Sequence, residues 1–543
     1  MGMSSVRQDS ARPRLKWSGM LENVFIIILA FYPLRHIRWG LDLWDTGYNY
    51  ANFQYIGTEH MDPMWLFSTY LANVAGNLLT KLPAAGTLQG MNLYTGLFVS
   101  VLALTGYFFC TRKLKLPAGL SFLGEMTAIS LCWCPTAVLY NYLTYVFFLF
   151  SSIFLYLGLT KESRIRLFLA GVFLGMNVLV RFSNLPQAAM ILAVWAYDVI
   201  VWLEEKKKAK ERGGLERRQA RFWPRLLQHT LWCFLGYMAA LAVLYLVIAV
   251  RYGMGEYVEG IARLFAMTET ASDYKATAMV RKMLDNYVKD LYWIIRLLVI
   301  MAGGMIMFAA AGWLEGRLRG QRDKGESAGR GVRRQSDVLE LSGGFGAERG
   351  GAADIAARAL HTGIRILWIL VSIATAGWLY YRGFCNFDFY SYDSIWYPGP
   401  SFLLLTMAVA AVRIFFAKAP KEEKLISGMV MLVILLTSIG SNNGILPSLN
   451  NLFLAAPYTL WECWRFVRCV GDKRTEGGLV CSSFPAKGIL IVLLAICLSQ
   501  FGCFGVKFVF AEATGVQEAS AAVEEMIRAT RMCGMDDGTL RIC

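Results

Sequence analysis

The chain has 543 residues, of which 56% are hydrophobic, 14% aromatic and only 17% charged. Soluble globular domains carry about a quarter charged residues, so this composition excludes an ordinary soluble fold. Lys and Arg outnumber Asp and Glu by 54 to 39, a net +15, but most of the excess sits in short loops between apolar runs, the mark of a membrane protein and not of a nucleic-acid surface.

The N-terminus is basic (Arg7, Arg12, Arg14, Lys16) and leads into an apolar run from Met20 to Leu34 with no small-residue cleavage site after it. It reads as a short cytoplasmic segment, 1–19, before an uncleaved first span at 20–36. Further apolar runs follow at 91–110, 118–136, 142–160, 166–181, 186–203, 228–250, 290–313, 363–381, 399–416, 425–440, 449–466 and 488–510, about thirteen in all, with eleven or twelve also compatible. In lipid, a helix satisfies its own backbone hydrogen bonds, so the expected fold is all-α: one polytopic multispan domain over 20–510.

Loop charge sets the expected orientation. Segments 112–115, 161–166, 206–225, 317–358, 418–424 and 468–487 are basic and alternate with the poorer 37–90, 137–141, 382–398 and 441–448. This places the N-terminus inside and a short tail, 511–543, outside. The 251–289 loop departs from the pattern with Arg251, Arg263, Lys275, Arg281, Lys282 and Lys289 on the outer side, as long loops do. Segment 317–358 is rich in Gly, Arg and Ser; its SGGFGAERGGAA lacks both a preceding strand and a following Gly-Lys-Ser/Thr, so a flexible cytoplasmic linker is expected and not a phosphate loop. In the outer loops, Met64, Leu66, Tyr70, Leu71 and Val74, then Ile261, Leu264 and Phe265, then Met279, Met283, Tyr287 and Val288, recur at helical spacing. They predict amphipathic helices lying apolar face down in the membrane interface. Twelve cysteines include no C-x-x-C, and Cys110, Cys233, Cys497 and Cys503 lie in apolar runs as small hydrophobes.

The segment with most chemistry is LDLWDTGYNYANFQY, residues 41–55, directly after the first span. It sets Asp42 and Asp45 among Trp44, Tyr48, Tyr50, Phe53 and Tyr55. A carboxylate at membrane depth costs a few kcal/mol unless solvated, paired or used. Asp45 is the first candidate for a catalytic base; Asp42 can share its helical face, bind a metal or stay solvated.

One span, then a long outer loop that opens on acids and carries amphipathic helices, resembles the GT-C membrane glycosyltransferases, with Asp42-Leu-Trp-Asp45-Thr-Gly-Tyr as the motif-level anchor. That group includes the protein O-mannosyltransferases, the aminoarabinose transferase of lipid A and the catalytic oligosaccharyltransferase subunit. The stretch SNNGILPSLNNLFLAAPYTLW, 441–461, also resembles bacterial membrane proteins of this kind. An adjacent acid pair of the mannosyltransferase type, in the segment after the first span, and a WWD-type signature are absent, which favours the broad class over any named member. The resemblance implies transfer of a sugar from a polyprenyl-phosphate carrier to an envelope glycan, lipid or protein on the outer face of a bacterial cytoplasmic membrane, with a first-loop carboxylate in catalysis.

Such chemistry needs a base for the acceptor hydroxyl and cations for the departing phosphate. Arg181, which interrupts an apolar run in LVRFSNLP, and Arg251, Arg263, Lys275, Arg281 and Lys282 are the candidate phosphate ligands, with snorkelling to headgroups as the alternative for each. Tyr48 offers a stacking surface, and Asn442 and Asn443 offer hydrogen bonds to sugar hydroxyls or simply form a turn. Mg²⁺ or Mn²⁺ on Asp42, Asp45 and carrier phosphates is compatible with the few carboxylates such ions take beside phosphate. His60 and Asp62 form an H-x-D without a further histidine at i+4. A transporter or flippase would instead show ionisable residues deep in several spans and internal repeats; Glu125 and Asp198 are such residues, and no repeat is evident. A polysaccharide polymerase or ligase would rely on 251–289 and leave Asp45 dispensable.

Overall fold

A computed structural model of the chain describes residues 15–38, 43–58, 60–84, 88–132, 139–211, 222–270, 275–333, 345–471, 473–474 and 480–509. In chain order the helices are α1 (Leu15–Phe31), continued by a 3₁₀ turn at Tyr32–Arg38, α2 (Leu43–Tyr55), α3 (Pro63–Ser68), α4 (Tyr70–Leu79), α5 (Leu88–Phe108) and α6 (Ala118–Leu131). Next come α7 (Leu139–Thr160), α8 (Arg164–Val180), a 3₁₀ segment at Phe182–Met190, α9 (Ile191–Glu211), α10 (Phe222–Tyr252) and α11 (Met254–Thr270). The last are α12 (Ala276–Arg333), α13 (Phe345–Tyr381), α14 (Pro398–Ala411), α15 (Lys421–Ser438), α16 (Leu446–Asn450), α17 (Ala455–Cys469) and α18 (Phe484–Lys507). Among the described residues, β-structure is limited to a two-residue antiparallel ladder, Lys473–Arg474 with Val480–Cys481.

Each of the thirteen apolar runs contains a helix, but among the described residues nine segments are long and apolar enough to cross a membrane: Gly19–Ile37, Gly90–Lys113, Leu139–Thr160, Phe182–Lys207, Phe222–Tyr252, Thr277–Glu315, Arg358–Tyr381, Tyr392–Phe416 and Phe484–Lys507. The other four runs are α6, α8 and α17, with 14, 17 and 15 residues, and α15, which opens on Lys421, Glu422, Glu423 and Lys424. Their apolar side chains are largely buried against other helices, whereas Phe222–Tyr252 exposes most of its own. Hydropathy responds alike to lipid and to protein interior, which is why the expected thirteen crossings exceed the nine helices suited to it.

The chain forms two compact units: Met1–Val280 with Ala410–Tyr458 and Phe508–Cys543, and Arg281–Val409 with Thr459–Lys507. In the first, α8 packs most extensively on α10. A Cβ on Gly171 would overlap the Cys233 carbonyl oxygen, and one on Gly236 the Phe168 carbonyl, so this contact depends on residues without side chains. On its other side α8 meets α7, where the Ser151 hydroxyl donates to the Ala170 carbonyl at 3.0 Å.

Helices α2 to α4 do not lie free on an interface. Tyr50, Phe53 and Ala72 share a buried cluster with Met91, Leu139 and Val180. Leu66 and Tyr70 share another with Val178, Leu179 and Ile248. Phe67 packs on Tyr245, Phe182 and Tyr257 with ring centroids 5.3, 5.4 and 5.6 Å away. Burial against aromatic protein surface removes these apolar faces from lipid as effectively as an interface does. Helix α11 lies along α3, with Gly260 against the Pro63 carbonyl. Met279, Met283, Tyr287 and Val288, expected on an interfacial helix, belong to the 58-residue α12 instead.

In the second unit, Gly304 and Gly488 close on the Trp368 indole, and Phe308 meets Phe484 at 5.7 Å. Trp293 gathers Trp378, Phe384 and Tyr397 around it. Beside that cluster, the Ser401 hydroxyl donates to Asp290 Oδ2 at 2.7 Å, and both residues are buried. The expected linker 317–358 is helical where it is described: α12 runs to Arg333 and α13 starts at Phe345. Leu, Ala, Arg, Glu and Gln in these stretches are strong helix formers and outweigh the intervening glycines. Residues 334–344 of that linker and the tail 511–543 lie outside the described residues.

Candidate functional site

Asp45 sits in the first turn of α2, half-buried, with the Asn49 side-chain amide donating to its backbone carbonyl at 2.8 Å. One turn further on, the Tyr48 ring stacks on Trp65 of α3 with centroids 4.9 Å apart. The Tyr48 hydroxyl lies 3.4 Å from that of Tyr140, at the start of α7, and either can donate. Burial pushes the Tyr48 hydroxyl above its ordinary pKa, and the neighbouring Tyr140 hydroxyl and Asp45 carboxylate add to the effect. Tyr48 therefore stays protonated and able to donate to an oxygen.

The Tyr140 ring carries the Arg181 guanidinium, 4.9 Å from its centroid. Such a cation over an aromatic face is attracted by roughly 0.5–2 kcal/mol, depending on desolvation. Arg181 is half-buried, and among the described residues no carboxylate pairs with it. Asp45, Tyr48, Trp65, Tyr140 and Arg181, from four helices or helix ends of the first unit, thus form one chain of contacts. The sequence singles out Asp45, Tyr48 and Arg181 but not Trp65 or Tyr140.

Arg181 stands where α8 stops, in extended backbone with φ −157° and ψ 119°. The break is built by buried amides. The Asn177 side-chain amide donates to Gln187 Oε1 at 2.6 Å and to the Thr144 carbonyl at 3.2 Å. That of Asn184 donates to Thr144 Oγ1 at 2.7 Å and to the Asn177 carbonyl at 3.0 Å. The backbone on both sides of Arg181 is tied as well, its N–H to the Asn177 carbonyl at 3.2 Å and its carbonyl to the Asn184 N–H at 2.9 Å. Buried and mutually satisfied, these polar groups define one backbone path and hence one direction for Arg181. Their signal was legible as polar residues at 177, 181, 184 and 187, spaced by three or four within an apolar run.

The remaining candidates scatter. Arg263 on α11 donates to Asp62 Oδ2 at 3.1 Å and pairs with Glu259, bonds that hold its pKa above the ordinary arginine value. Asp62 also caps α3, accepting the Met64 N–H at 2.8 Å, so it is a structural carboxylate, while His60 is exposed beside Tyr55. Arg251 lies over the Tyr252 ring at 5.4 Å and beside Gly57. Lys275 and Lys282 are exposed, and Arg281, also exposed, comes within 3.9 Å of Asp285. Asn442 and Asn443 occupy the turn between α15 and α16, where Gly440, at φ +90°, closes on the Ser183 carbonyl two residues beyond Arg181. The Asn443 N–H donates to Ser441 Oγ at 3.2 Å, which accounts for the turn without a ligand. Asn451, just beyond α16, is buried and donates to Thr437 Oγ1 at 3.2 Å.

Asp42 lies outside the described residues. Among those described, no three His, Cys, Asp or Glu side chains converge as a metal-ligand group. The chain matches no known protein family, no characterised protein and no solved structure.

Proposed function

We propose that the chain is a multi-pass membrane glycosyltransferase that moves a sugar from a polyprenyl-phosphate carrier to an envelope acceptor on the outer face of a bacterial cytoplasmic membrane. The observation that carries this is the convergence of Asp45 and Arg181, 136 positions apart in sequence, on the two hydroxyl-paired rings Tyr48 and Tyr140. A carboxylate and an unneutralised guanidinium at one aromatic site are what transfer from a lipid phosphate requires. Asp45 accepts the proton of the acceptor hydroxyl as its oxygen bonds to the anomeric carbon. The bond from that carbon to the phosphate oxygen breaks, and the electron pair leaves on the phosphate. Arg181 meets that charge with paired donors. Tyr48 donates a hydrogen bond, and the Trp65–Tyr48 stack borders the sugar on an apolar side. In this reading α2, α3 and α11 stand on the outer side; the low Lys/Arg content of 37–90 supports this for α2 and α3, and α11 follows because it packs along α3.

The test is transfer by purified protein from a polyprenyl-phosphate sugar, with Asp45→Asn and Arg181→Ala beside the wild type. Loss of transfer in both, with normal folding, supports the assignment; full activity in both refutes it. One observation favours transport as a second reading: Glu125, Asp198 and Asp290 are buried acids within helices. Flux of a labelled lipid or glycan across proteoliposomes, without bond cleavage, would select transport over transfer.

A further inference from the structure

We propose that Glu125 is the centre of a binding site for a monovalent alkali cation inside the first unit, separate from the Asp45 site. Glu125 is fully buried on α6, and neither of its carboxylate oxygens has a hydrogen-bond partner. Ser121, one turn earlier on the same face, is equally buried, and its hydroxyl is also without a partner. Glu125 Oε1 and the Phe453 backbone carbonyl both close on Gly106 of α5: a Cβ there would overlap the carboxylate oxygen and come within 2.7 Å of the carbonyl.

The Phe453 carbonyl has no helical N–H four residues on to accept from. Residues 451–454 are buried but non-helical, and the position four residues after Phe453, which would supply a helical N–H, is Pro457. Pro457 itself packs on Gly124, the residue next to Glu125. Two glycines and a proline thus bring a carboxylate and a backbone carbonyl to one place, with a hydroxyl one turn away on the same face of α6.

An ionised carboxylate in a protein interior requires a compensating positive charge. Among the described residues no Lys, Arg or His pairs with Glu125. The donors present are hard oxygens, which suit alkali and alkaline-earth ions and not soft metals. A single negative charge balances a monovalent ion, whereas a divalent ion would leave net charge in an apolar surround and usually takes several carboxylates. Irregular backbone beside an intramembrane acid is the setting in which membrane proteins coordinate such ions.

The experiment is thermal unfolding of the full chain in detergent at constant ionic strength, in NaCl, KCl or choline chloride, together with equilibrium binding of radioactive Na⁺. The expected result is a saturable rise in unfolding midpoint with Na⁺ or K⁺ over choline, with bound Na⁺ near one per chain, both lost in Glu125→Gln. Ser121→Ala should bind the ion about tenfold more weakly, the worth of one neutral contact. Identical midpoints in the three salts overturn the proposal. So does a cation response undiminished in Glu125→Gln. Stability that follows pH alone in all three salts also overturns it, since that describes a protonated acid donating to the Phe453 carbonyl. If Glu125→Gln does not fold, Ser121→Ala decides: unchanged cation affinity in that variant overturns the site. None of these outcomes bears on sugar transfer, which is measured separately.

Discussion

The end of α8 and the middle of α11 each carry an arginine that the sequence offers as a phosphate ligand, and the fold treats them in opposite ways. Arg263 is bonded to Asp62 and Glu259, so its charge is already neutralised where it stands. Arg181 has an aromatic ring beneath it, a buried amide network fixing its backbone and no carboxylate partner among the described residues. An anion approaching Arg263 must displace two carboxylates; one approaching Arg181 displaces none. Availability of charge, and not its presence, separates a binding arginine from a structural one.

The largest effect should come from Asp45, the acid beside Tyr48. Asp45→Asn removes a basic oxygen and little else, and general-base contributions run to about 10²–10⁴-fold, so purified variant should lose transfer by that order while keeping its unfolding midpoint. Near-wild-type turnover would assign the base elsewhere, Asp42 first. Arg181→Ala comes next, with an expected loss of about 10²–10³-fold, the scale for removing one preorganised charge-stabilising donor. Arg181→Lys should recover only part of it, because an ammonium lacks the planar pair of donors. The same Ala substitution at Arg263 should leave transfer near wild type, and equal losses at both positions would erase the contrast between them.

Smaller again should be Asn184→Ala, which loosens the backbone after Arg181 without touching the site. Misplacing a functional group by about 1 Å can cost up to 10²-fold, so a fall in donor use is expected, with Asn184→Gln or Asn184→Asp compared for partial rescue. A loss of midpoint with unchanged kinetics would reduce the amide network to a packing role. The smallest effect is reserved for the Asp62–Arg263 pair. Exchanging the two residues should shift the unfolding midpoint slightly at low salt and not at all at high salt, because exposed charges are screened.

Much of the helix map was legible in the sequence because hydrophobic runs and helical spacing are local properties. Ala118–Leu131 and Lys421–Ser438 show where that stops, since an apolar helix buried among protein and one facing lipid have the same hydropathy. Within the candidate site, Asp45 and Tyr48 were legible because they neighbour each other in an aromatic segment beside a span. Tyr140 and Trp65 were not, because nothing near them in sequence sets them apart from the interfacial aromatics common at span ends. The Glu125 site was half legible: a lone acid in an apolar run is conspicuous, but its meeting with the Phe453 carbonyl, 328 positions later, is not.

By itself the sequence determined that the chain is helical and membrane-embedded, where its apolar helices lie, and that the segment after the first span is acidic and aromatic. Each follows from composition and short-range periodicity, which act over a few turns of helix. Only the tertiary structure decided that, among the described residues, Arg181 and not Arg263 lacks a carboxylate partner, that α2 to α4 bury their apolar faces in protein, and that Met279 to Val288 continue into a long helix. Those outcomes depend on which helices touch. The touching is governed by surface shape, such as the side-chain-free faces at Gly171 and Gly236, where the gain comes from contacts between residues far apart in the chain. Residues 45, 140 and 181 become neighbours only once α2, α7 and α8 have packed, because dispersion and hydrogen bonding act through space and leave no periodic trace along the chain.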